Sequence, residues 1–106
     1  DCGQMSAWYI FSAMGFYPVN PASGKYAIGS PVLSSASIRL DNGKVFKMTA
    51  KNVSEQNVYI QSVKLNGRPY NKPFILHSDI ENGASLEFVM GAKPNKKWGT
   101  DLSGLN

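Results

Sequence analysis

The sequence predicts a mainly β fold, a small antiparallel β-sandwich preceded by one N-terminal helix. Three observations carry this expectation. Beyond residue 24, apolar and polar residues alternate in short runs of strand length. The pairs Asn42-Gly43 and Asn66-Gly67 stand between such runs, where hairpins turn. Ahead of them, residues 4–14 contain no helix breaker and stop at Gly15, with Pro18 just beyond.

The helix has an unusual wheel. Met5, Trp8, Tyr9 and Phe11 do not share one stripe at 3.6 residues per turn, and Ile10, Ala13, Met14 and Phe16 fill most of what remains. Only Gln4, Ser6 and Ser12 are polar, and no residue from 2 to 24 is charged. A helix that is apolar nearly all round is packed on several sides, and this one is too short to span a membrane. A domain of 106 residues covers one face of such a helix. The chain is therefore expected to be a piece of a longer protein whose other parts pack around residues 4–14, and its start at Asp1 without an initiator Met fits that expectation.

Residues 19–24 read as a linker rich in Pro, Asn and Gly. Lys25–Ile28 is a candidate strand, closed by Gly29-Ser30-Pro31. Ala36, Ile38 and Leu40 alternate with Ser37 and Arg39, and the return run Lys44–Lys51 places Phe46, Met48 and Ala50 on one face. Val58–Leu65 is rich in β-branched and aromatic residues. Asn66-Gly67 turns it into Arg68-Pro69-Tyr70, a run that Pro69 marks as short or at an edge. Phe74–Leu76 is a further apolar run, Ser78-Asp79-Ile80-Glu81 matches a capping box for one helical turn, and Leu86, Phe88 and Met90 alternate along a last strand. The expected organisation is a helix over 1–18, a linker over 19–24, a sandwich over 25–91 and a flexible polar tail over 92–106.

Composition excludes several function classes. The chain is 42% hydrophobic and 17% charged, which is globular rather than disordered. Its net charge of +4 comes from scattered lysines; the one cluster, Lys93, Lys96 and Lys97, accompanies no recognition motif, so no nucleic acid is expected as a partner. No run of ~20 apolar residues spans a membrane. With Cys2 as the single cysteine there is neither an intrachain disulfide nor a thiol-rich metal site, and the single His77 stands far from it in sequence. No phosphate loop and no His/Asp/Glu metal spacing is present, so no metal site is expected within the chain. Asp41 and Asp79 sit at turn or cap positions, and Glu55 and Glu87 read as solvent-facing. Asp1 stands at the entrance of the apolar helix, where a carboxylate caps the helix and complements its dipole, or serves as an acid or base at the mouth of a helical barrel. Gln4 stands where a side chain can satisfy a backbone group at the helix start.

The string Asp1-Cys2-Gly3-Gln4-Met5-Ser6-Ala7-Trp8-Tyr9, followed by Met14-Gly15-Phe16-Tyr17-Pro18, resembles a signature of glycoside hydrolase family 92, the calcium-dependent exo-α-mannosidases. Tyr26 to Pro31, Val63 to Gly67 and Leu86 to Gly91 extend the resemblance along about residues 1–98. It implies an (α/α)6 barrel joined to β-sandwich structure, with residues 1–18 as the last barrel helix and the later strands as the β-rich C-terminal end. It further implies an inverting exo-α-mannosidase, α-1,2-preferring, that trims α-mannosides from N-glycans or mannan. Asp1 then matches the last residue of a Gly-Asn-(Asp/Glu)-Asp motif and is the candidate general base, with Gln4 a candidate substrate contact. The catalytic acid and the Ca2+ ligands of the parent would lie upstream, and the chain itself would be structural and inactive, requiring the rest of the parent catalytic domain. The family places such enzymes in the bacterial periplasm or outside the cell. A carbohydrate-binding sandwich is the alternative, with Tyr59, Tyr70 and Trp98 as the aromatics available to stack on a sugar.

Overall fold

The computed structural model describes residues 12–20 and 24–103, and its regular elements are almost all strands. In chain order these are β1 (Phe16–Asn20), β2 (Lys25–Ile28), β3 (Ser35–Arg39), β4 (Val45–Lys51), β5 (Tyr59–Leu65), β6 (Arg68–Pro69), β7 (Phe74–Leu76) and β8 (Ala84–Gly91), with one short helix, α1 (His77–Glu81), between the last two. They form a three-stranded sheet ordered β1-β2-β7 and a five-stranded sheet ordered β3-β4-β8-β5-β6.

Alternation sets which residues go inside. In the larger sheet, β4 buries Phe46, Met48 and Ala50 and exposes Lys47, Thr49 and Lys51. Along β8 the buried residues are Leu86, Phe88 and Met90, with Leu86 paired to Met48 and Phe88 to Ala50. Met14, Phe16, Ile28 and Ile75 come from the other layer and join the same cluster, and the Phe16 and Phe46 rings meet at a centroid distance of 5.9 Å. No polar or charged residue is buried among the described residues.

Three features depart from the sequence expectation. The first sheet starts earlier than expected: Phe16–Asn20, which composition assigns to a helix end and a linker, pairs antiparallel with β2. Pro18 disguises it, but β1 is an edge strand, where a residue without an N–H is tolerated. Secondly, β4 and β8 run parallel, so one pair at the centre of an otherwise antiparallel sandwich has the opposite sense. Thirdly, the two Asn-Gly turns differ. Asn66 and Gly67 both take positive φ, +53° and +82°, as a two-residue type I′ hairpin requires. At Asn42-Gly43 only Gly43 does, at +87°, and Leu40 N–H donates to Lys44 O across a three-residue loop. Asn42 is then free to act elsewhere: its Oδ1 accepts from Lys44 N–H at 2.9 Å and its Nδ2 donates to Glu81 O at the end of α1 at 2.8 Å.

The helix α1 forms where expected, although Leu76 rather than Ser78 is its N-cap. The acid that reaches back is Asp79, whose Oδ2 accepts from Leu76 N–H at 3.4 Å. Ile80 is its buried anchor.

Residues 92–103, polar in composition, lie back along the β5–β6 side of the larger sheet. Asn95 Nδ2 donates to Gln61 O at 2.7 Å, Gln61 Nε2 donates to Lys93 O at 2.6 Å, and Trp98 Nε1 donates to Tyr70 O at 2.9 Å. Asn71 takes the Gly99 N–H on its Oδ1 and gives its Nδ2 to Thr100 Oγ1, both at 2.8 Å.

Candidate functional site

Asp1, Gln4 and Cys2, together with residues 4–11 of the helix expected from sequence, lie outside the described residues. The structure describes the seat on which that segment ends. Ser12 and Ala13 are helical, Gly15 N–H donates to Ser12 O at 3.0 Å, and Gly15 takes φ +89°, the left-handed conformation that closes a helix. Two carbonyls at this end are then taken up by the β2–β3 connection. Gly29 N–H donates to Gly15 O at 2.6 Å and Val32 N–H to Ala13 O at 2.9 Å. Met14 and Phe16 flank the junction and are fully buried in the core between the sheets. The end of the motif segment is thus fastened by backbone hydrogen bonds on one side and apolar packing on the other. The Met-Gly stop was legible in sequence; its partner Gly29 read there only as a strand break.

Two other groupings carry chemistry-bearing side chains. Tyr26 Oη lies 3.1 Å from His77 Nδ1, and His77 Nε2 lies 3.0 Å from Glu81 Oε1. A Tyr–His–carboxylate chain resembles a proton relay in its order. Here the imidazole and carboxylate are about half exposed, and His77 and Glu81 are an i,i+4 pair along α1, so the chain ties that helix to β2. The second is a shallow groove of about 260 Å³ lined by Gln61, Tyr70, Asn71, Asn95 and Trp98. These are the residue types of a sugar site, but the carboxamides and the indole N–H donate within the chain, to the partners given above. Tyr70 Oη donates to Phe74 O at 2.5 Å, and the Tyr70 phenol, half-buried and near Asp79 and Asp101, is pushed up to about 12, by burial first and by the two carboxylates after it. Asp101 is held below the ordinary carboxylate range because the Ser103 hydroxyl and N–H both donate to it. Of the three aromatics, Trp98 and Tyr70 pack against the core and Tyr59 is exposed. Among the described residues no three His, Cys, Asp or Glu side chains converge on a metal position, and no helix is long and apolar enough to cross a membrane.

The family model of the glycosyl hydrolase family 92 catalytic domain matches residues 1–92. The chain belongs to glycosyl hydrolase family 92. The match begins with the Asp1 motif and runs through β8, so both sheets fall inside the region described as catalytic domain. The family 92 α-mannosidase BT3965 of Bacteroides thetaiotaomicron, also solved in complex with mannoimidazole, is 45% identical, with a TM-score of 0.86 over 99% of this chain and 14% of that one. The family 92 inverting mannosidase BT2199 of the same organism is 40% identical, with a TM-score of 0.83 over 95% of this chain and 14% of that one. A curated relative from the fungus Arthroderma benhamiae, described as an uncharacterized secreted glycosidase, is 37% identical over 94% of this chain and 13% of its own length. This family 92 chain thus spans about a seventh of the length of the solved relatives.

Proposed function

We propose that this chain is the C-terminal part of an inverting exo-α-mannosidase, in which the sandwich holds the Asp1 motif against the remainder of the catalytic barrel. The observation that carries the reading is the likeness to two family 92 mannosidases over nearly the whole chain, at 45% and 40% identity. Asp1 is the general base: it takes a proton from a water that attacks the anomeric carbon in a single displacement. The leaving oxygen receives its proton from an acid outside this chain, with acid and base ~6.5–9.5 Å apart so that the water fits between them. Gln4 orients Asp1 or a sugar hydroxyl. The substrates are mannose-containing N-glycans or mannan, with α-1,2 linkages preferred. The family resemblance supports a calcium requirement of the parent. Its ligands are proposed to lie upstream of residue 1, as the family resemblance implies. Action outside the cytoplasm is supported by the fungal relative described as secreted.

The test is hydrolysis of mannose disaccharides of each linkage by the full-length parent and by this chain, with calcium and with a chelator. Activity of the parent alone, highest on the α-1,2 disaccharide and lost on chelation, is the expected result. Asp1→Asn in the parent should abolish turnover, by on the order of 10³-fold or more, while leaving its thermal midpoint unchanged. Full activity of that variant would remove Asp1 from the mechanism.

A further inference from the structure

The β2–β3 connection and the β4–β5 turn border a groove of about 460 Å³, with Ser30, Pro31, Val32, Val53 and Val58 in its walls and Glu55 as the only charged residue lining it. Of the large apolar side chains exposed among the described residues, Val32 is the most exposed, at 73%, and Val58 is exposed as well. Single exposed apolar residues are ordinary on a protein surface, whereas a grouped and nearly uncharged set marks a face that another surface covers. The outward row of the larger sheet is the contrast, with Arg39, Lys47, Lys51 and Lys64 all exposed.

The walls of the groove are fixed and its polar groups are engaged. Val32 N–H donates to Ala13 O at 2.9 Å, and Ser30 Oγ donates to Val58 O at 2.6 Å. Ser54 Oγ accepts from Asn57 N–H at 3.1 Å, and Asn57 Nδ2 donates to Asn52 O at 2.9 Å. These side chains bond within the chain instead of converging on a sugar or another small polar ligand. What the groove offers is apolar contact on a preformed surface, which binds without first having to be ordered.

Its place in the fold identifies what covers it. Polypeptide ahead of Ser12 reaches the sandwich through Ser12 and Ala13, and the bond from Val32 to Ala13 sets that entry at the rim of the groove. This chain matches 14% of the length of its solved relatives, so in an enzyme of their size most of the polypeptide stands outside it. We infer that the groove formed by Pro31, Val32, Val53 and Val58 is an interface within the parent enzyme, covered by an uncharged, apolar face of the catalytic domain ahead of residue 1. The inference rests on the reading of this chain as the C-terminal part of a larger enzyme.

The experiment is made on the full-length parent. Carbene footprinting of the wild-type enzyme compares the labelling of Val32 with that of Val63, which is 2% exposed, each corrected by its labelling in the denatured enzyme. Expected is a loss of Val32 labelling to the level of Val63. Labelling of Val32 as strong as in the denatured enzyme would leave the face open to solvent and overturn the inference. The occupant is read from Val32→p-benzoylphenylalanine by irradiating the variant and mapping its cross-linked peptides; Val58→p-benzoylphenylalanine takes its place should the first variant fail to fold. A cross-link to a peptide ahead of residue 1 is the expected result. A cross-link to residues 1–11 or to a second copy of the enzyme overturns the assignment. Hydrolysis of an α-mannoside by the same wild-type preparation keeps the two readings apart. An inactive parent that forms the expected cross-link removes the mannosidase reading and leaves the interface, whereas an active parent with Val32 fully labelled removes the interface alone.

Discussion

Tyr70 works through its phenol and through both polar groups of its backbone. Its phenol donates to Phe74 O, its N–H donates to Val63 O and its carbonyl accepts the Trp98 indole N–H, so it ties β5, β7 and the C-terminal segment together. The raised phenol pKa has a consequence at high pH. The unfolded chain releases this proton near 10, whereas the folded chain holds it to about 12. The stabilisation is thus fully present below pH 10 and is lost as pH rises from 10 through 12. Tyr70→Phe should cost about 0.5–1.5 kcal/mol at neutral pH, the worth of one hydrogen bond, and should flatten the loss of stability between pH 10 and 12. Urea titrations at stepped pH check both; an unchanged alkaline slope would assign it to other groups.

Among the elements, β8 bears most of the sandwich. It lies between β4 and β5 and presents Leu86, Phe88 and Met90 to the core. Phe88 has no exposed surface, so Phe88→Ala should destabilise by about 3–5 kcal/mol, read from chemical denaturation. Sequence located β4 and β8 by an alternation in which one row of side chains must avoid water, and β5 by its β-branched and aromatic residues, since a bulge between Ile60 and Ser62 breaks its alternation; the short apolar runs of β2 and β7 were also located. What it did not reveal has equally physical causes. Alternation says which face of a strand is buried but not which strand lies beside it, so the parallel β4–β8 pairing left no local mark. Pro18 signals a turn unless the strand is known to be an edge. Asn95 and Trp98 hold residues 92–103 through single side chains that compositional reading counts as polar loop. The candidate site divides the same way: the motif string pointed to Asp1, whereas the Gly15–Gly29 contact depends on a chain reversal that no spacing encodes.

Across the whole molecule, the two sheets share one apolar cluster. Phe16, Ile28 and Ile75 from the smaller sheet pack with Phe46, Met48 and Phe88 from the larger, with nothing charged between them. Neither sheet can lose its partner without exposing that cluster, so the described residues should unfold as one cooperative unit. Calorimetry is expected to give a single transition with equal calorimetric and van't Hoff enthalpies, and two resolved transitions would mean that the sheets are stable apart. A sandwich that unfolds in one step keeps the helix seat at Gly15 intact until everything is lost.

The central position of β8 also bears on how the protein is made. Both of its neighbours are synthesised before it, and β4 precedes it by the full length of β5, β6, β7 and α1. Until residues 84–91 leave the ribosome, the β3–β4 and β5–β6 hairpins have no strand to join them. Their apolar faces must wait, and closing the long loop between β4 and β8 is the kind of non-local step that slows folding. A nascent chain stalled before residue 84 would therefore expose the apolar faces of both hairpins, the kind of surface that makes incomplete chains prone to aggregate.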